Sequence, residues 1–341
     1  RCVRAVIEGY HGSCFAYGAT GSGKTFTMMG DAAQPGVMPR AMEELFAMAA
    51  AEDEFNWRFT LTFIEIYNER VKDLLSPQSG GDLEVREDAR KGTVIAGAVE
   101  VGVTSLVEIM EHMQRGSLYR TTEATNCNEV SSRSHAVLQV TVSAVQKYVE
   151  DGGTAIKQLS KLSLIDLAGS ERAYKTDNRG QRLMEGRNIN RSLLSLANCI
   201  NALADKTKKT AHVPYRDSKL TRLLRDSLSG TSVSTMLCNV SPASDQFEET
   251  LNTLKYANRA KSMTPPSVPQ RQVAPYNPVG EQVAVLSELK STLVQLTRGL
   301  TPKQEPRGAG EANRFGVARG KQAPPPGAAP PLPPPAGAAA P

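Results

Sequence analysis

The sequence predicts an α/β fold, a central and mostly parallel β-sheet flanked by helices on both faces, and three observations carry that reading. Between residues 1 and 262, period-2 alternation and helical spacing of apolar residues interleave, the pattern of a sheet covered on two sides. A glycine-rich run, Gly18 to Thr25, follows an apolar stretch and precedes a helical one. A second apolar stretch ends in Asp166-Leu167-Ala168-Gly169.

The elements follow in chain order. Cys14–Tyr17 is a short apolar run that stops at glycines, as a buried strand does. Met38, Met42, Leu45, Phe46 and Ala49 recur at helical spacing, with Pro39 near the start, where a missing N–H costs nothing. Trp57, Phe59, Leu61 and Phe63 alternate with Arg58, Thr60 and Thr62, a strand. Ala136, Leu138, Val140 and Val142 alternate likewise, and Lys157–Leu167 reads as the next strand, with Asp151-Gly152-Gly153 able to turn between them. Helical spacing returns at Ile189, Leu193, Leu196, Ala197, Ile200 and Leu203, and at Leu220, Leu223, Leu224 and Leu228. Thr235–Val240 is a strand stopped by Pro242, and Phe247, Leu251, Leu254 and Ala257 mark a last helix.

Beyond residue 262 the texture changes. Pro265, Pro266, Pro269, Pro275 and Pro278 punctuate residues 263–278. Residues 279–300 place Val279, Gln282, Leu286, Leu289, Leu293, Leu296 and Leu300 at a/d spacing over about three heptads. Residues 301–341 hold eleven of the 21 prolines. This tail buries too little to order itself, and reads as disordered or as a polyproline ligand for an SH3-type partner.

Composition narrows the class. With 341 residues, 40% hydrophobic and 22% charged, the chain can build a sizeable core. A net charge of +5 excludes a histone-like tail or an acidic solvating protein. Five scattered cysteines without a C-x-x-C argue for free thiols in a reducing compartment, against a disulfide scaffold or zinc site. No apolar run approaches eighteen residues, so no membrane span is expected. The chain starts at Arg1 without a methionine and reads as a fragment.

Gly18-Ala19-Thr20-Gly21-Ser22-Gly23-Lys24-Thr25 fits G-x-x-x-x-G-K-[ST]. Glycines let backbone N–H groups converge on phosphate oxygens, the lysine reaches the β/γ-phosphates and the threonine hydroxyl ligates Mg²⁺. Asp166 ends an apolar strand, where a Walker-B carboxylate holds Mg²⁺, Gly169 lets an N–H approach the γ-phosphate, and Glu171 follows. Asn128–His135 is a hydroxyl-rich turn ahead of a strand. Its hydroxyls suit waters on a metal or in attack, and its arginine suits a carboxylate.

The phosphate loop, Asn128–His135 and Asp166–Glu171, in that chain order, resemble the P-loop, switch I and switch II of a kinesin motor domain, within the P-loop NTPase fold. Glu65-Ile66-Tyr67-Asn68-Glu69, Asn188-Ile189-Asn190-Arg191-Ser192-Leu193-Leu194 and Tyr215-Arg216-Asp217-Ser218-Lys219-Leu220-Thr221-Arg222-Leu223-Leu224 match the same family. The resemblance covers residues 1–262; Asn188–Leu203 and Val279–Leu296 look most like the kinesin-eight class, motors that walk to plus ends and regulate microtubule length. It implies roles: Lys24 and Thr25 on phosphate and Mg²⁺, Ser132 at the metal, Ser131 positioning the attacking water, and Asp166 on a metal-bound water. Arg133 and Glu171 would form a switch salt bridge, with Glu171 helping relay a proton, and Phe26 would pack near the adenine. The family's opening strands, one of them inside the sheet, are absent from this sequence, which implies exposed sheet edges. Arg187 stands where the family usually has alanine. The family docks a short β-like segment after the last helix; Pro265 and Pro266 remove two donors there and argue against ordinary docking.

The positive charge is focused. Between Asp205 and Arg225, seven cations (Lys206, Lys208, Lys209, Arg216, Lys219, Arg222, Arg225) face Asp205 and Asp217, a net +5 equal to that of the whole chain. No nucleic-acid motif or aromatic interleaving accompanies it. The resemblance implies a face for acidic tubulin, joined by Lys175, Arg179 and Arg182, with Arg90 and Lys91 as lesser members. The expected activity is a microtubule-activated ATPase using ATP and Mg²⁺, in the cytoplasm on the microtubule cytoskeleton. The alternative is a non-enzymatic microtubule-binding pseudo-motor. A GTPase switch would need an N-K-x-D motif, which is lacking. Residues 279–300 would support a homodimer or fold back on the motor.

Overall fold

The computed structural model describes residues 1–77, 81–88, 92–122, 132–147, 154–171, 181–205, 212–228, 232–263, 271–275 and 290; at 121–122, 154–157, 181–190 and 271–275 it describes the backbone. The chain divides into units 1–277 and 278–341. In chain order the first unit contains α1 (Cys2–Ile7), β1 (His11–Tyr17), α2 (Lys24–Met29), α3 (Val37–Ala51), β2 (Phe55–Tyr67), β3 (Arg70–Asp73), β4 (Glu84–Asp88), β5 (Gly92–Ala96) and β6 (Val101–Val103). There follow α4 (Leu106–Thr122), β7 (His135–Gln146), β8 (Thr154–Asp166), α5 (Gln181–Ala204), α6 (Lys219–Leu223), α7 (Arg225–Leu228), β9 (Ser232–Cys238), α8 (Phe247–Ala260) and β10 (Arg271–Pro275).

The main sheet runs β3-β2-β7-β8-β1-β9, with β6 on β2 and β10 on β8, and β4–β5 form a separate ribbon. It is mixed, which corrects the expectation of a mostly parallel sheet. Only β1 pairs in parallel, with β8 and β9; β2, β3, β6, β7, β8 and β10 meet antiparallel. The reason lies in the connections. β2 and β3 are joined by Asn68 and Glu69 alone, at φ 53° and 60°, a two-residue hairpin of the primed type that fits the strand twist. Parallel partners need long crossovers, and β1 gets them from the helices that flank it.

The register places the site. Ala16 lies opposite Asp166 across β1–β8, and Ala136 lies opposite Asp166 across β7–β8. The carboxyl ends of β1 and β8 and the start of β7 therefore open on one edge, the place where open α/β sheets hold ligands.

Alternation along the strands feeds two cores. Leu61, Phe63, Leu138, Val140 and Leu162 point to one face and pack with Val6, Met38, Met42, Leu45, Ile109 and Met113 of α1, α3 and α4. Ile64, Ile66, Val137 and Ile165 point to the other, against Leu193, Leu196 and Ile200 of α5 and Leu220, Leu223 and Leu228 of α6–α7. The apolar run at 220–228 is two short helices rather than one. Cys2, Cys14 and Cys199 are buried free thiols and Cys238 is a half-buried one; Cys127 lies outside the described residues.

The stripe Phe247, Leu251 and Leu254 does mark α8, but it faces out, at 66%, 41% and 51% exposed, while Glu249 and Thr253 are buried. The helix sits on β9 and α5 by its other side, and β9 is the last strand on that flank of the described sheet. Pro265 and Pro266 lie outside the described residues; further on, Arg271–Pro275 pairs antiparallel with Thr154–Gln158. Four consecutive residues there keep their N–H groups, and the strand stops at Pro275, where none remains. Residues 279–300, apart from Lys290, and 301–341 lie outside the described residues.

Candidate nucleotide site

Gly18–Gly23 link the end of β1 to α2, and Gly21 and Gly23 turn the chain through φ 77° and 88°, a left-handed conformation cheap only for glycine. Lys24 opens α2 and is buried; its Nζ donates to the Ala19 carbonyl at 2.8 Å, inside the loop it belongs to. Burial pushes the Lys24 pKa below the ordinary lysine value, with Glu171 and Asp166 opposing that shift and Arg120 adding to it. The Thr25 hydroxyl donates to Asp166 Oδ2 at 2.8 Å. Ser22 Oγ and Asp166 Oδ1 are buried without a hydrogen-bond partner. A buried polar atom left unsatisfied costs free energy, so this pair marks where an external polar group fits. A hydroxyl and carboxylate oxygens suit a hard divalent cation such as Mg²⁺. Phe26 stands half exposed on α2.

The segment after β8 closes on the loop. The Ser170 amide donates to the Gly18 carbonyl at 3.0 Å, and the Gly169 amide to the Ser132 carbonyl at 2.8 Å. A Cβ on Gly169 would crowd the side-chain oxygens of Thr20 and Glu171, so a larger residue there requires those side chains to shift. Glu171 accepts from the Thr20 amide at 2.8 Å and from the Thr20 hydroxyl at 2.6 Å. The expected Arg133–Glu171 pair is therefore not the contact seen here: among the described residues Glu171 binds the loop instead. Ser132 and Arg133 are half-buried in the turn just before β7, and Ser131 lies outside the described residues.

Sequence reasoning missed the polar layer beneath. Arg120, near the end of α4, is buried and donates to Asp166 and Ser134. His135 is fully buried: its Nδ1 accepts from the Ala168 amide at 2.9 Å and its Nε2 meets Ser192 Oγ at 2.8 Å. An Nδ1 that accepts leaves the proton on Nε2, donated to Ser192. Burial, with Arg120 and Lys24 adding, pushes the His135 pKa down to about 3, so the ring stays neutral and ties β7, the 168–171 segment and α5 together. Arg120 sits near the end of α4, and its importance comes from residues 14 to 55 positions away, so no local signal shows it.

On the far side of the second core, Arg216 lies in a short 3₁₀ turn and Lys219 starts α6, its amide donating to Glu69 Oε2 at 2.8 Å. Arg222 donates to the Val85 carbonyl at 2.9 Å, and Arg225 pairs with Glu87 at 2.5 Å. Two of the seven cations thus spend donors on the β4–β5 ribbon. Asp226 anchors the same ribbon through the Thr93 amide at 2.6 Å and pairs with buried Lys161 at 3.5 Å. Arg182 sits in α5, described by its backbone; Lys175, Arg179, Lys206, Lys208, Lys209, Arg90 and Lys91 lie outside the described residues.

Comparison with known proteins agrees with this arrangement. The family model of the kinesin motor domain matches residues 1–263. Kinesin-like protein KIN-8A of Arabidopsis thaliana is 52% identical over 262 residues, 76% of this chain and 35% of that protein. Kinesin-like protein KIP3 of Saccharomyces cerevisiae is 45% identical over 295 residues, 86% of this chain and 36% of that protein. The chain thus spans about a third of the length of these curated relatives. Among solved structures, a KIF14 dimer with AMP-PNP in complex with a microtubule superposes at TM-score 0.70 with 39% identity, covering 79% of this chain and 76% of that one. A structure described as a fast kinesin gives TM-score 0.70 and 41% identity over 81% and 77%. By the family match across its first 263 residues and by these identities, the chain belongs to the kinesin motor domain family.

Proposed function

We propose that the chain is a microtubule-activated ATP hydrolase that uses Mg²⁺ and moves along microtubules, toward plus ends, in the manner of the kinesin-eight class. The observation that carries the reading is the interlock of Lys24, Thr25 and Asp166 beside the orphaned Ser22 Oγ and Asp166 Oδ1. The likeness to KIN-8A and KIP3 supports the class and a place on the microtubule cytoskeleton.

The residues divide the work. Gly18–Gly23 offer backbone N–H groups to phosphate oxygens, and Lys24 exchanges the Ala19 carbonyl for the β/γ-phosphates. Thr25, Ser132 and Asp166 would hold Mg²⁺, which supplies charge neutralisation at the bridging oxygens. Phe26 would cover the base. Ser131 orients the attacking water. For the site to close, Glu171 must leave Thr20 and meet Arg133, which brings the Gly169 amide from the Ser132 carbonyl to the γ-phosphate. Catalysis here is positioning and electrostatics rather than covalent chemistry. The basic face from Lys206 to Arg225, with Lys175, Arg179 and Arg182, would meet the acidic microtubule surface. Residues 279–300 would pair two copies, and the proline-rich tail would serve an SH3-type partner.

The test is turnover of the chain with and without microtubules, beside Glu171→Ala. Microtubules should raise the wild-type rate, and Glu171→Ala should lose most of that rise while still binding nucleotide. Wild-type turnover that ignores microtubules overturns the motor reading, and near-normal turnover in the variant removes Glu171 from the mechanism.

A further inference from the structure

Asn239 is the residue that follows β9, and none of the roles above uses it. β9 runs parallel to β1, with Cys238 opposite Tyr17. Asn239 carries the ladder one step past the strand: its amide donates to the carbonyl of Tyr17, the last residue before the phosphate loop, at 2.9 Å. Its side chain reaches the other end of that loop. Nδ2 donates to Thr27 Oγ1 at 2.7 Å, and the Thr27 amide donates to the carbonyl of Gly23, the residue before Lys24, at 2.8 Å. One residue therefore holds both ends of Gly18–Gly23, by its main chain at the start and by its side chain, through Thr27, at the finish.

The fit between them is close. A Cβ on Gly18 would overlap the Asn239 carbonyl and lie 2.8 Å from Ser22 Oγ, so the loop leaves β1 pressed against Asn239. Asn239 Oδ1 is buried with no hydrogen-bond partner. A buried acceptor left unpaired costs free energy, which an apolar residue would avoid. The amide is kept at a cost to the fold, as groups are that hold a functional segment in place. A glycine-rich loop has many conformations, and only those in which its N–H groups converge can take a phosphate. The observed affinity is the intrinsic one scaled by the fraction of chains in that arrangement, so whatever fixes the two ends raises it.

Resting on the Mg²⁺–ATP reading of the site, we propose that Asn239 is a positioning residue for the phosphate loop: through Tyr17 and Thr27 it sets the span of Gly18–Gly23 and so holds their N–H groups in the arrangement that receives the phosphates. Thr27 supplies the acceptor for the side-chain half of this brace.

The experiment titrates the full chain with mant-ADP, in EDTA and in Mg²⁺, with thermal melts and ATP turnover alongside. The variants are Thr27→Val, Thr27→Ser, Asn239→Ala and the double variant of Thr27→Val with Asn239→Ala. Thr27→Val keeps the shape and removes the acceptor. Its dissociation constant should rise about fivefold to tenfold, the size of one lost hydrogen bond, and by the same factor with and without Mg²⁺, because the loop and not the cation is disturbed. Thr27→Ser keeps the hydroxyl and should stay within about twofold of wild type. Asn239→Ala should match Thr27→Val, and the double variant should be no worse than either, since both remove the same link. Turnover should show the loss in KM, with kcat nearly kept. Unchanged affinity in folded Thr27→Val overturns the proposal even where its melting point falls, since a support of the fold alone would do that. Losses that add in the double variant overturn it too, because the two side chains would then act separately. Should Asn239→Ala fail to fold, the two Thr27 variants decide by the same titration. Wild type that binds no mant-ADP defeats the nucleotide-site reading and the proposal with it, a result separate from one confined to the variants.

Discussion

Arg225 and Asp226 are neighbours on α7, and their surroundings are opposite. Arg225 pairs with Glu87 where both side chains are 44% and 49% exposed; Asp226 reaches inward to Lys161, whose side chain is 7% exposed. The contrast extends to the regions they belong to. Around the end of β8, Lys24, Arg120 and Asp166 are all buried and bonded to one another or to the backbone. Along α6 and α7, Lys219 and Arg222 are half-buried and Arg225 exposed, and Arg222 and Arg225 reach the rim of the ribbon. In the interior each charge depends on its partner, because the alternative is an uncompensated charge in a poor solvent. At the rim, water and salt replace a lost partner. The first arrangement fixes geometry and the second tunes encounter.

The largest effect should come from breaking an interior pair. Asp226→Ala leaves Lys161 buried and the Thr93 amide without its acceptor, and should cost about 3 kcal/mol in denaturant unfolding. Adding Lys161→Met should recover part of that loss, since an apolar side chain tolerates the site. A double variant as unstable as Asp226→Ala would show that the charge was not the problem.

Acid probes the same interior next. The His135 pKa is about 3 in the fold against 6.5 ordinarily. Between those values the unfolded chain binds more protons, so stability rises with pH. It is fully present above pH 6.5 and lost as pH falls, by about 2 kcal/mol at pH 5. His11, also lowered by burial, adds in the same direction. His135→Asn should flatten the slope of stability between pH 5 and 7; an unchanged slope would assign the acid sensitivity to other groups.

The rim should answer differently. Replacing Lys206, Lys208 and Lys209 with alanine should raise the microtubule concentration needed for half-maximal activation and make affinity fall less steeply with salt, with basal turnover nearly constant. Co-sedimentation across a salt series reads this, and an unchanged slope would remove this loop from the track. Arg225→Ala is the smallest case: its thermal midpoint should match wild type. A clear drop there would place Arg225 with the interior charges and erase the contrast.

The sequence made the sheet's ligand edge legible because local chemistry is dense there. Gly18–Thr25 combines a turn need, a phosphate need and a strand-helix context, and Asp166 ends an unmistakable apolar run. What stayed hidden depends on distance along the chain. Strands β3 to β6 are three to five residues long and partly polar, too short for a period to show. Arg120 looks like any surface arginine until α4 is laid beside β7 and β8. The stripe of α8 located its helix, but spacing does not say which face is buried; that depends on neighbours, and here Glu249 and Thr253 turn inward.

Glu171 on Thr20 has a consequence for how tightly and how fast the loop can take a phosphate. The Thr20 amide is already answered by a carboxylate of the same chain, so an incoming anion exchanges one charge-assisted bond for another rather than adding one. The measured affinity is then a difference, smaller than the loop's own affinity by the fraction of time the carboxylate is away. The approach to equilibrium carries the same imprint: where release of Glu171 is the slow event, the observed rate levels off as nucleotide is raised, and the plateau is the rate of that release.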